Sequence, residues 1–308
     1  MEENRTGFIR IISEASVSTG GKEGHPGMKS YHFMKTPGRY VALGLNKIQP
    51  AGGIEEHYHE YNSDMPIFDH VNYVISGRIR ASVGDTVRTI RADSLIYCPS
   101  NVRHSITNVG KSLAMVLDIG GFGDGDKRGG SVYSKTPSGD LKAHPWKLAS
   151  AIKPLKVAET RTGYIMTFTE AEHSSGEKDH PGNQGYSYLR PSSAAVKVCK
   201  ELSMHISLVL NKIQPGGSIE EHYHKYDADM PIFDHICYVI SGRILANVGD
   251  MERIVGANSL IYCPSDIRHS ITNIGDSPAK LIIVSGSGEG AKMGVPIYSK
   301  CGNLGVMT

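Results

Sequence analysis

One block of sequence occurs twice in this 308-residue chain, and both copies keep the same four histidines in register. The first copy runs Gly53-Ile54-Glu55-Glu56-His57-Tyr58-His59, then MPIFDH ending at His70, then YVISGR, SLIYCPS and Arg103-His104-Ser105-Ile106-Thr107-Asn108. The second repeats nearly the same letters from Ile219 to Asn273. His57, His59, His70 and His104 each recur 165 residues later, as His222, His224, His235 and His269. A duplication of this size means two structural units of one kind, and the chain is long enough for each to bury a core.

The repeat extends upstream of the histidines. Thr6-Gly7-Phe8-Ile9 matches Thr162-Gly163-Tyr164-Ile165, and His25-Pro26-Gly27 matches His180-Pro181-Gly182, here with a shift of about 155 residues. The ten-residue difference is an insertion after Gly182. The expected division is therefore a unit over 1–135, a linker over 136–159 broken by Pro137, Pro145 and Pro154, and a unit over 160–308.

Within a unit the apolar pattern is that of short strands. Tyr73-Val74-Ile75-Ser76 is aromatic and β-branched and stops at Gly77; Ser94-Leu95-Ile96-Tyr97-Cys98 stops at Pro99; Leu113 to Asp118 is a third run. With 35 glycines to make turns, the reading is all-β, a pair of sandwiches or small barrels. A formal charge of +2 and the absence of basic runs or a helix-turn-helix pattern argue against nucleic acid. No stretch is long enough to span a bilayer, and MEENRTGFIR has no apolar core of a leader, so a soluble cytoplasmic protein is expected. Five cysteines without a CxxC pair fit neither a disulfide framework nor a thiolate zinc site; Cys98 and Cys263 read as small apolar strand residues.

Side chains two apart on a strand share a face, so His57 and His59 point the same way, and His70 shares a face with Asn72 and Val74. Eight histidines at four paired positions are hard to explain as incidental. They read as a divalent transition-metal site in each unit, since imidazole suits iron, manganese, nickel, zinc and copper.

These segments resemble the cupin family, whose motifs are G(X)5HXH(X)3-4E(X)6G and G(X)5PXG(X)2H(X)3N. Gly216 with His222-Tyr223-His224 fits the start of the first motif, with Ala51 in place of that glycine in the first copy. Pro99, His104 and Asn108, and Pro264, His269 and Asn273, keep the spacing of the second. Asn101 and Asp266 replace its glycine, and both residue types tolerate a left-handed backbone. The resemblance implies two tandem double-stranded β-helix (jelly-roll) barrels, a bicupin. It also exposes a departure. Counting back seven residues from Gly77 and Gly242 places His70 and His235 where most cupins have a glutamate ligand; counting forward from HXH lands on Asp64 and Asp229 instead. The backward count is preferred because YVISGR sets the strand register.

Further candidates are Asp64 and Asp229 as acid/base groups folding back over the metal. Arg103 and Arg268 are substrate-carboxylate partners or outward ion pairs, and Gln49 and Gln214 are barrel-lining polar groups. Asp69, Asp234, Glu56 and Glu221 are expected to point away from the histidines. His25 and His180 read as incidental residues of a turn, with a second small site or a cover over a barrel mouth as the sharper alternative. Four neutral imidazoles leave a dication uncompensated, which favours a small anionic, chelating or enolisable substrate. Resemblance to all-histidine cupins makes a dioxygenase with one iron or manganese ion per barrel the leading expectation, with nickel, zinc or copper as alternatives. A Lewis-acid isomerase, lyase or decarboxylase, or a non-catalytic ligand-binding cupin, stands beside it. Repeated apolar outer strands point to a homodimer or larger homo-oligomer.

Overall fold

The computed structural model describes residues 6–20, 24–34, 40–60, 68–122, 131–133, 163–175, 179–189, 206–225, 233–287 and 296–298. The linker, Asp64 and Asp229 lie outside these residues. Apart from two single-turn 3-10 helices, Ile12–Glu14 and Phe168–Glu170, every regular element described is a strand. The all-β expectation holds.

Each barrel is a seven-stranded sheet opposed to a five-stranded one. In the first, the larger sheet runs in the order Tyr164–Met166, Ser94–Pro99, Phe68–Ser76, Ala114–Phe122, Val41–Ile48, Met28–His32, Ser16–Gly20. The smaller runs Ser131–Tyr133, Gly53–His59, His104–Asn108, Ile79–Val83, Thr86–Ile90. The second barrel repeats this order with the corresponding strands, all pairs antiparallel.

The first strand of each unit crosses to the other barrel. Phe8–Ile11 pairs with Ser259–Pro264 of the second barrel, and Tyr164–Met166 pairs with Ser94–Pro99 of the first. Each unit thus lends its first strand to the other. The receiving strands are buried along their whole length, so their outer backbone groups need partners that water cannot supply.

Alternation along Phe68–Ser76 shows why its letters are almost all apolar. Val71 and Tyr73 face a core shared by both barrels, with Leu208, Ile236, Tyr238 and Leu260 of the other sheet, while Val74 faces the interior of its own barrel. A strand buried on both faces reads as a continuous apolar run. Burying apolar area at about 25 cal/mol per Å² over two such sheets makes the inter-barrel layer a principal source of cohesion. Polar clasps join it. The buried Asp234 accepts from Tyr262 Oη (2.7 Å) and from the Tyr40 and Val41 amides of the first barrel, and Lys280 Nζ lies 2.6 Å from Asp93 Oδ2.

Asn101 and Asp266 do adopt the left-handed backbone, at φ 63 and 62, so the turn survives without its glycine. Ala51 takes the same conformation, φ 62, where the second copy has Gly216 at φ 72. Ala51→Gly should therefore raise stability by up to about 1 kcal/mol in chemical denaturation, the relieved strain exceeding the added freedom of the unfolded chain. Gly77→Ala should do the opposite, by more than about 2 kcal/mol. Gly77 has φ +101, and a Cβ there would lie 2.5 Å from the Ala114 Cβ.

Candidate metal centre

The four histidines of each repeat meet inside their barrel. His57, His59, His70 and His104 offer ring nitrogens within 4.8 Å of one another, as do His222, His224, His235 and His269, and all eight residues are buried. Three come from the small sheet, where His57 stands opposite His104 across Gly53–His59 and His104–Asn108. The fourth, His70, comes from the large sheet and reaches across the interior.

Hydrogen bonds set the tautomers. His57 Nδ1–H donates to the Glu55 carbonyl (2.9 Å) and His104 Nδ1–H to the Val102 carbonyl (2.8 Å), which leaves a lone pair on each Nε2. His70 Nε2–H donates to Asp118 Oδ1 (2.7 Å), which leaves its lone pair on Nδ1. His70 Nδ1 and His104 Nε2 then face each other at 2.9 Å with two lone pairs and no proton between them. Such a contact is repulsive unless a cation lies where the lone pairs converge, so the donor set fits a divalent metal ion. The second barrel repeats the outer anchors: His222 Nδ1 to the Glu220 carbonyl (2.8 Å) and His269 Nδ1 to the Ile267 carbonyl (2.9 Å).

Burial favours the neutral form of the imidazoles at His57, His59, His104, His222, His235 and His269. It pushes the His57 pKa down to about 4, helped by the neighbouring His70, and the His269 pKa down to about 3, helped by His222. His59, His104 and His235 are lowered for the same reason. Neutral rings are the form that binds metal.

A cavity of ≈ 640 Å³ opens onto the first centre, with His57, His59 and His70 in its wall. His25 is in that wall too, and in the second barrel His180 Nε2 lies 3.0 Å from Tyr298 Oη, whose ring is 5.2 Å from that of His222. The incidental-turn reading of these two histidines is thereby corrected. The turn after each HPG packs on the barrel through backbone bonds such as Gln49 N to the Gly27 carbonyl, which carries its histidine to the centre.

The structure separates the other candidates. Arg103 lies on the outer face, 3.8 Å from Glu56 and over the Tyr58 ring, and Arg268 is placed likewise against Glu221 and Tyr223. Gln49 and Gln214 are exposed in the turn that follows their strand. Asp69 is fully buried on the inter-barrel face, where it accepts from Tyr97 Oη (2.7 Å).

One functional residue escaped the sequence reading. Asp118 lines the cavity beside His70, and the Asn46 amide reaches its Oδ2 at 3.4 Å. Burial alone would raise its carboxyl pKa; the neighbouring His70 ring and its hydrogen bond, with His25 and the Asn46 amide, outweigh this and hold it below the usual carboxylate value. Its repeat partner is Ile283, and Asn72 is matched by Cys237, whose Sγ lies 3.8 Å from His235 Nε2. A comparison of the two copies for broken symmetry could have singled Asp118 out, because it is the only one of the two positions where an apolar strand admits a carboxylate.

The class of protein is now defined: paired double-stranded β-helix barrels, each enclosing a four-imidazole cage. The Cupin domain profile matches residues 44–120 and 209–285, and the chain belongs to the cupin family. Among curated relatives, polyketide synthase CurC of Streptomyces cyaneus is 31% identical over 106 residues, 33% of this chain and 64% of that protein. The tetracenomycin polyketide synthase protein TcmJ of Streptomyces glaucescens is 30% identical over 71 residues, 23% of this chain and 44% of that one. The chain thus spans less than two thirds of the length of these relatives. Among solved structures, oxalate decarboxylase from Bacillus subtilis at pH 4.6 superimposes with a TM-score of 0.61 at 17% identity, covering 97% of this chain and 80% of that one. Another structure of that enzyme, from work on its Mn(II) centers, gives 0.61 at 16%, covering 97% and 81%. At such identity the likeness establishes a shared bicupin fold. No helix among the described residues is long and apolar enough to cross a membrane.

Elemental analysis of purified protein should find two divalent ions per chain, falling to one in His59→Ala. The metal-free protein should lose stability on acidification. Between the unfolded value near 6.5 and the folded values near 4 for His57 and 3 for His269, the unfolded chain binds more protons. Stability is therefore full above about 6.5 and falls with decreasing pH, by up to about 1.4 kcal/mol per pH unit for each such histidine. Urea midpoints of the metal-free form across this range check the sign.

Proposed function

We propose that this is a metal-dependent bicupin enzyme acting on a small anionic or enolisable substrate, with the chemistry in the first barrel. The reaction class we assign is Lewis-acid proton transfer, of the isomerase, lyase or decarboxylase kind. The observation that carries the proposal is Asp118, a carboxylate in the cavity wall beside the four-histidine cage of one barrel and absent from the other.

When bound, the ion supplies a positive charge that polarises a carbonyl or carboxylate oxygen and acidifies the adjoining C–H. The chain does the rest. His57, His59, His70 and His104 hold the ion without adding negative charge, so an anionic head is drawn to the site. Asp118 spends Oδ1 on His70, which fixes that ring, and keeps Oδ2 for a proton removed from the substrate. Four imidazoles on the ion and a single carboxylate beside it leave the first centre cationic, and Ile283 leaves the second without that carboxylate. The naming of the curated relatives for polyketide synthases supports the enolisable class, since polyketide chains carry β-dicarbonyl units.

For the ion we favour manganese or iron over zinc. His70 Nδ1 lies 3.0 Å from His59 Nε2 and 2.9 Å from His104 Nε2. Ligands at right angles with bonds of about 2.1 Å sit about 3.0 Å apart, against about 3.4 Å for a tetrahedron. Right-angled ligands leave coordination positions free for substrate. The same all-imidazole set supports the dioxygenase as a second reading, in which Asp118 only orients His70. Asp64 and Asp229 stay proposed as acid/base groups. The division at 135 and 160, a homo-oligomeric state and a cytoplasmic location belong to the proposal as well.

Proton exchange at C3 of 2-oxobutanoate in D2O, followed by NMR with manganese-loaded protein, tests the assignment. Asp118→Asn should slow exchange per bound ion by about 100-fold, while Cys237→Ala leaves it unchanged. Exchange at the wild-type rate in Asp118→Asn would sink the role given to that carboxylate. Turnover that stops under strict anaerobiosis would favour the dioxygenase instead.

A further inference from the structure

Beyond Asp118 the first-barrel cavity continues as a row of uncharged polar groups. They occupy one face of four adjacent strands of the large sheet: Asp118, then Asn46, then Ser30 and His32, then Ser16 and Ser18. Register sets the row. Ser30 stands opposite both Asn46 and Ser18, and His32 opposite Ser16. Ser30 Oγ donates to Asn46 Oδ1 (2.7 Å), Asn46 Nδ2 reaches Asp118 Oδ2 (3.4 Å), and Ser18 Oγ lies 2.9 Å from His32 Nε2. Strands sit about 4.8 Å apart, so the serines lie about 10 Å or more from the Asp118 strand, the distance a substrate tail of several carbons covers.

The second barrel does not keep the row. In the order Asp118, Ser30, His32, Ser18 and Ser16, the matching residues are Ile283, Gly185, Ser187, Ser174 and Glu172. Asn46 persists as Asn211, which accepts from Asn183 Nδ2 (2.8 Å), and Ser18 as Ser174, so the break falls at Asp118, Ser30, His32 and Ser16.

We propose that this row is a subsite for a hydroxyl-bearing substrate tail, present in the first barrel alone. The proposal rests on the metal-centre reading above, which supplies the anchor for the substrate's head. Hydroxyl, imidazole and amide groups both donate and accept, which matches a polyol. Among the described residues that line the cavity the polar groups beyond Asp118 are hydroxyl, imidazole and amide, with no Lys or Arg among them. Among the described residues Phe68 is the one phenyl ring in the wall, and it packs on His59, at the ion end. The substrate class is thus a sugar-acid-like monoanion: a chelating head followed by a polyhydroxylated chain.

The test compares D-gluconate with 2-hydroxyhexanoate by calorimetry on manganese-loaded protein. The two share an α-hydroxy-acid head and differ in the hydroxyls of the tail. Gluconate should bind at least about tenfold more tightly, the effect of two or so tail hydrogen bonds. The double variant Ser18→Ala, His32→Ala, at the exposed rim where folding is little at risk, should cut that preference below threefold and leave 2-hydroxyhexanoate unchanged. Ser174→Ala, Ser187→Ala, the matching double change in the second barrel, should leave the preference intact. Equal affinity for the two acids, no binding of gluconate, or a preference that survives the double variant overturns the subsite. A gluconate preference that is the same with and without manganese, and is lost in the double variant, upholds the subsite and counts against the metal-anchored head.

Discussion

The convergence of four imidazole lone pairs on one point is the constraint on which each barrel is organised. Three of the rings come from one sheet and the fourth from the sheet facing it, so the cage spans the barrel interior. Rings that would repel one another if left alone are held in place by what lies behind them: the carbonyls of Glu55 and Val102, and the carboxylate of Asp118. Those bonds choose which nitrogen of each ring faces inward. Burial in turn favours the neutral form at His57, His59 and His104, the form that ligates. Tautomer, burial and sheet register are therefore one device, and a slip of one residue in any of the three ligand strands would turn its histidine outward.

Around that device the two halves have diverged. The ligands and turns are the same in both, and the exchanged arm strands are reciprocal. The differences fall in the interior and at the seam. Asp118 faces Ile283 across the duplication, Asn72 faces Cys237, and the Asp93–Lys280 clasp has Asn258 and Met115 at the mirrored positions. A duplicated fold gains two copies of every buried position, and only one copy of each has to keep a demanding role. A carboxylate and its hydrogen-bonded neighbours have collected in the first barrel, where Asp118, Asn46 and Ser30 line the cavity, while the second replaces Asp118 and Ser30 with an apolar side chain and a bare backbone.

The sequence was most legible where a residue's role follows from local geometry. Alternation put His57 beside His59 and sent Glu56 and Tyr58 outward. The glycine within YVISGR set the register that made His70 the fourth member of the group. Asn101 and Asp266 were readable as left-handed turn residues from their side chains alone. It was least legible where a role depends on what a strand meets across the sheet. Leu113 to Leu117 looks like any apolar strand, and nothing in those letters shows that the next residue, Asp118, lies diagonal to His70. Ser16, Ser18, Ser30 and His32 read as an unremarkable arm, because their shared face exists only once three strands are aligned.

From the letters alone came the duplication, the all-β character, the two sets of four histidines and the cupin resemblance, because each is a matter of spacing along the chain. The tertiary structure alone decided that the arms trade places between barrels, that Arg103 and Arg268 serve the outside, that His25 and His180 stand at the centres, and that the two cages differ through Asp118 and Cys237. Those outcomes turn on contacts between residues up to about 250 positions apart. Such pairings are settled by which buried backbone and polar groups must find partners, and a one-dimensional pattern does not carry that information.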